Sequence, residues 1–173
     1  FILTVFIMLS FTMIPLQSSR ITDLKNANLP VRQPACPVGR AGPKIQVAIL
    51  LDVSGSMDGL IEQAKSQLWN MVSVMGKAKC NGIMPKIEIA LYEYGRSTNN
   101  QAAGYVKQLS AFTGDLDMLS QKLFGLTTNG GDEYCGQVIY SSLKELQWDA
   151  APENYKVIFI AGNEDFLQGN IHY

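Results

Sequence analysis

At 173 residues, with 47% hydrophobic and 17% charged content, the chain is long enough to bury one core and short for two domains. Fourteen Lys and Arg stand against fifteen Asp and Glu, for a formal net charge of −1 and no basic run. Nothing in that balance points to the cationic face or stripe that a nucleic-acid binder needs, and an anionic membrane surface is equally unsupported.

Phe1 to Ile14 is almost continuously apolar, followed by Pro15 and the small residues Ser18 and Ser19, which is the pattern of the hydrophobic region and end of a secretory signal. The run is short for a membrane span, so segment 1–19 predicts export to a periplasmic, cell-surface or extracellular setting. Membrane contact is expected only through this segment if it stays uncleaved. A buried strand is the other structure such a run can form. With no initial Met and no basic residue ahead of the apolar run, the natural start is expected upstream. Residues 20–43 mix Asn, Pro, Gly and charge without period, as linkers do, and the folded domain is expected over 44–173.

Ile45 to Leu51 is an apolar run of the kind found in a central parallel strand covered on both faces. Leu60, Ala64, Leu68, Met71, Val72 and Met75 recur at helical spacing, and Ile87, Ile89 and Leu91 then alternate with Glu88, Ala90 and Tyr92 as a second strand. Tyr105 to Ser110 reads as a weaker edge strand. Leu116, Leu119 and Leu123 mark a short helix, with Thr113 or Asp115 as cap and Gly125 as terminator. Val138, Ile139, Ser142, Leu143 and Leu146 mark another, and Val157 to Ile160 is a last apolar strand. This alternation predicts an α/β fold: a doubly wound, mostly parallel sheet flanked by helices.

The chemistry concentrates where the first strand of this domain ends. Asp52-Val53-Ser54-Gly55-Ser56 places an acid and two hydroxyls in a turning segment, hard oxygens suited to Mg²⁺, Ca²⁺ or Mn²⁺. The competing expectation is that Asp52 and Ser54 only cap the helix that follows. A second loop, Leu126 to Glu133, carries Thr127, Thr128 and Asp132, and Asp132 can cap the next helix after a Gly130-Gly131 turn. Arg96, after Tyr94 and Gly95, reads as an ordinary turn residue and stays outside the site.

D-x-S-x-S after an apolar strand resembles the metal-ion-dependent adhesion site of von Willebrand factor type A (VWA) domains. The order of strand, motif, helix, strand, Thr/Asp loop and strand resembles that family from Lys44 to the end of the chain. The resemblance implies that the first strand lies between the Ile87 and Val157 strands, a topological switch point where open α/β sheets bind ligands. It implies Mg²⁺ held by Asp52, Ser54 and Ser56, with Thr128 or Asp132 from the second loop, and a protein partner whose acidic group completes the coordination. It also implies an Asp at the end of the Val157 strand, where this chain has Gly162, followed by Asn163, Glu164 and Asp165. The family fold continues past the point where this chain stops, so a fragment with an exposed edge at the Val157 strand is expected.

The function expected is therefore a non-catalytic, divalent-metal-dependent protein-binding module of an exported protein. Two alternatives are a scaffold with a degenerate metal site and a Mg²⁺-dependent phosphatase with Asp52 as nucleophile. The phosphatase lacks its second acid, since Ser54 stands there, and a serine hydrolase would have only His172 as a base. Among the three cysteines, Cys36, Cys80 and Cys135, one disulfide is possible, with Cys36–Cys80 the pairing expected because both flank elements at the end opposite the motif.

Overall fold

A computed structural model describes residues 2–8, 44–79 and 82–171. The elements in chain order are β1 (Ile2–Met8), β2 (Lys44–Asp52), α1 (Ile61–Lys77), β3 (Lys86–Tyr94), β4 (Lys107–Thr113), α2 (Leu116–Phe124), α3 (Cys135–Glu145) and β5 (Tyr155–Gly162), with 3₁₀ turns at Gly55–Met57 and Gln101–Ala103. They form one five-stranded sheet in the order β1-β5-β2-β3-β4. The first four strands in that order are mutually parallel, and β4 is an antiparallel edge. This is the mostly parallel, doubly wound architecture expected.

The apolar run of β2 is buried because both faces are covered. Val47, Ile49 and Leu51 enter a core with α1 and α2, whereas Ala48 and Leu50 enter a second core with α3. Alternation in β3 and β5 feeds the same two layers: Leu91 and Phe159 lie on the first face, Tyr92 and Ile160 on the second. Ala64, Leu68 and Val72 are the buried stripe of α1. Lys65, next to Ala64 in sequence, is also buried, which hydrophobic spacing does not predict. Asp115 caps α2 by accepting the Met118 amide at 2.9 Å.

One expectation fails. The β5 strand is not an edge, because β1 pairs with it in parallel from Ile2↔Lys156 to Met8↔Gly162. A seven-residue apolar run serves equally as a parallel strand, as here, or as the core of an export signal. The rest of the expected signal, the linker 20–43, the Cys36–Cys80 pairing and His172 lie outside the described residues.

Candidate metal site at the carboxyl end of the sheet

Asp52 is the last residue of the central strand. It pairs in register with Tyr94, and its neighbour Leu51 pairs with Ala161, so the Asp52 side chain lies between the ends of β3 and β5. The carboxylate is fully buried. Oδ1 accepts the Ser54 amide at 2.8 Å, closing a local turn, while Oδ2 has no hydrogen-bond partner. Burial pushes the Asp52 carboxyl up to about 6; the Ser54 bonds oppose this, and the charges of Glu133 and Glu164 add to it.

Two glycines make room for this carboxylate. A Cβ on Gly95, whose φ is +79°, would lie 2.8 Å from Asp52 Oδ1. A Cβ on Gly162 would lie 3.3 Å from Oδ2 and would collide with the Tyr94 hydroxyl. The Tyr94 phenol is itself fully buried, is held far above its usual range by burial, and receives a bond from the Cys135 thiol at 3.4 Å. Burial raises that thiol to about 11.

Ser54 and Ser56 face one point, as their spacing predicts, with their Oγ atoms 2.8 Å apart. Ser56 Oγ donates to Asn163 Oδ1 at 3.0 Å, and Asn163 Nδ2 donates back to the Ser56 carbonyl at 3.3 Å. A hydroxyl has one proton, so Ser54 is the donor between the two serines. Neither Asp52 nor Ser54 caps a helix: the 3₁₀ turn behind Ser54 and the start of α1 at Leu60 have no side-chain cap bond.

The second loop docks beside this motif through its backbone. The Asn129 amide donates to the Val53 carbonyl at 2.8 Å, and Gly131 passes so close to Gly95 and Ser97 that a side chain there would strike their backbone. The candidate side chains of the loop bond elsewhere. Thr128 Oγ1 is 3.5 Å from Asp58 Oδ1, and Asp132 accepts the Tyr134 hydroxyl at 3.4 Å. Asp132 is not the cap of α3, since that position belongs to Tyr134, without a side-chain bond. The structure thus gathers Asp52, Ser54, Ser56 and Asn163, and gives Thr128 and Asp132 hydrogen-bond partners outside that group.

These residues fit a hard cation that keeps several waters: one carboxylate with an unpartnered buried oxygen, two hydroxyls and an amide oxygen. Among the described residues no three His, Cys, Asp or Glu converge as a metal cluster. Sequence patterning did not single out Tyr94 and Glu133. Tyr94 becomes visible only through its register with Asp52, and Glu133 only through the fold of its loop.

The SpRpn10 VWA domain superposes with a TM-score of 0.53 at 14% sequence identity, over 73% of this chain and 63% of that one. The fold is that of a VWA domain. Two further VWA-containing structures also align, both of the type V pili tip protein Mfa5 from Porphyromonas gingivalis. Its three N-terminal domains give a TM-score of 0.45 at 20% identity, over 68% of this chain and 19% of that one. Its vWF domain alone gives 0.39 at 21%, over 58% and 32%. No protein-family model and no curated protein matches the sequence. The chain spans less than two thirds of each of these VWA structures.

Proposed function

We propose that this chain carries a non-catalytic protein-binding domain of an exported protein, in which Asp52, Ser54 and Ser56 hold a divalent cation, Mg²⁺ before Ca²⁺ or Mn²⁺. The observation that carries this reading is the buried Asp52 carboxylate, whose Oδ2 has no partner although it stands at a sheet switch point, in the same turning segment as the paired Ser54 and Ser56 hydroxyls. An orphaned, fully buried carboxylate oxygen is costly, and a cation is the partner that its charge and hardness favour.

A bound cation supplies an electrophilic centre with exchangeable waters, which an acidic side chain of a protein partner can displace. The chain's own residues prepare that centre. Asp52 contributes the one buried negative charge, and Ser54 and Ser56 offer lone pairs while their protons pass along the chain to Asn163. Thr128 and Asp132 join by leaving Asp58 and Tyr134, single bonds at long range for exposed or half-buried side chains. The serine hydroxyls bond to each other and to Asn163, which supports binding over nucleophilic catalysis. An Asp52 phosphatase nucleophile would have to act from a carboxylate without exposed surface.

A scaffold without metal is the second reading, favoured by the Tyr94 hydroxyl at the place where Gly162 would need a side chain. Titration with Mg²⁺, Mn²⁺ and Ca²⁺, followed by thermal melting and calorimetry beside Ser54→Ala, separates the two. Saturable stabilisation that Ser54→Ala abolishes is expected, since a ligand bound only by the native state raises its stability. A folded protein that responds to none of the three ions leaves the scaffold.

A further inference from the structure

Two buried or half-buried cations reach the second loop from different elements. Lys65 of α1 has a side chain only 1% exposed, and its ammonium donates to the carbonyls of Leu126 at 2.5 Å and Phe124 at 3.3 Å and to Glu62 Oε1 at 2.6 Å. All three N–H donors are satisfied, and the charge lies at the carboxyl end of α2, where helix carbonyls lack partners. An apolar residue would pack this face of α1 without the cost of burying an ion, so helix packing alone does not account for a lysine here.

Arg96 approaches from the segment after β3. Its Nε donates to both oxygens of the buried Glu93 carboxylate at 3.2 Å, which fixes the guanidinium, and its Nη2 donates to the Thr127 carbonyl at 2.7 Å. Asn99 Nδ2 braces Glu93 from the other side at 3.2 Å. Two residues on, the Asn129 amide is tied to Val53, and Asn129 Oδ1 accepts from Ser97 Oγ at 2.5 Å. The loop is therefore pinned at residues 124, 126, 127 and 129, with Thr128 held between two fixed neighbours.

We infer that Lys65 and Arg96 are positioning residues: together they clamp the carbonyls of the α2–α3 loop and set that loop against the Asp52 motif. In its consequence for the cation, this rests on the binding reading above. Removing the Arg96 fork releases Thr127, and the Asn129–Val53 bond then opens more often while the sheet remains as it was. Because outer residues that orient a metal site typically change affinity by about 10–100-fold, a loss of about tenfold in Mg²⁺ affinity is expected.

The test compares the full chain with Arg96→Gln, Arg96→Lys and Lys65→Met by residue-resolved amide hydrogen exchange and Mg²⁺ titration. In Arg96→Gln the Asn129 amide is expected to exchange about tenfold faster, with the amides of Val47 to Leu51 unchanged. Arg96→Lys, which keeps the charge but not the fork, is expected to fall between Arg96→Gln and the natural chain. Lys65→Met is expected to loosen residues 124–129 likewise; if it fails to fold, the Arg96 pair decides. Asn129 exchange that stays constant, or that rises in step with β2, overturns the clamp. If Mg²⁺ leaves the natural chain's melting unchanged while Asn129 exchange accelerates as stated, the metal reading fails and the clamp stands.

Discussion

The hydroxyl of Tyr94 fills the space that any side chain on Gly162 would need. A residue at the end of β3 thereby dictates glycine at the end of β5, across the intervening central strand. The acid implied at Gly162 by resemblance would have no room in this structure, and Asn163 bonds to Ser56 one position further on.

Gly162→Ala should destabilise the fold by roughly 1–3 kcal/mol, the usual cost of forcing a methyl group into a packed site. Chemical denaturation measures this, and Tyr94→Phe in the same chain should recover part of the loss by removing the oxygen that is struck. A Gly162→Ala protein as stable as the parent would mean that Tyr94 yields freely.

Asn163→Asp moves an acid next to Ser56 without entering the Tyr94 contact. An added carboxylate should raise Mg²⁺ affinity, by about tenfold if it ligates directly, and should lower stability in metal-free buffer because Asp52 and Glu164 are close enough to interact. Calorimetric titration reads the first effect and melting in EDTA the second. Unchanged affinity would place Asn163 outside the coordination sphere.

Stability without metal should depend on Asp52. Its folded carboxyl stands at about 6, above its ordinary value of 3.8, so the native state holds the proton more tightly than the unfolded chain. The burial penalty is therefore full above pH 6, and stability rises as pH falls from about 6 toward 4, by an amount on the order of 2–3 kcal/mol. Asp52→Asn should flatten that part of the profile and raise stability at pH 7.5, while abolishing cation binding. Denaturant midpoints in EDTA from pH 4 to 8 test it; equal slopes in both proteins would show that another group titrates.

Removal of residues 1–19 would strip β1 from β5 and bare a parallel strand edge beside Ile158 and Ile160. Such an edge pairs readily with other chains, so the shortened protein should associate while the full chain does not, as light scattering after gel filtration would show. A monomeric shortened protein would mean that the β5 edge is protected without β1.

Much of the fold was legible from period alone. The apolar run Ile45–Leu51 could only be satisfied by cover on both faces, and the stripe Leu60–Met75 by packing against one of them. The motif Asp52, Ser54, Ser56 was legible because a two-residue spacing in a turn puts both hydroxyls on one side, a local property. Side-chain direction in the second loop was not local. Whether Thr128 or Asp132 turns toward the Asp52 motif depends on Asp58 and Tyr134, which hold them from other turns.

What the sequence determined by itself was the set of strands and helices from Lys44 onward and the place of the oxygen-rich turn, whereas the departure at Gly162 was visible only against the resemblance to VWA domains. The first two follow from hydrophobic period and turn chemistry, which act over a few residues. Only the tertiary structure decided that β1 covers β5, that Tyr94 excludes a side chain at Gly162, and that Lys65 and Arg96 meet one loop. Each of these joins residues far apart in the chain, and such contacts are set by strand order and register, which no local pattern encodes.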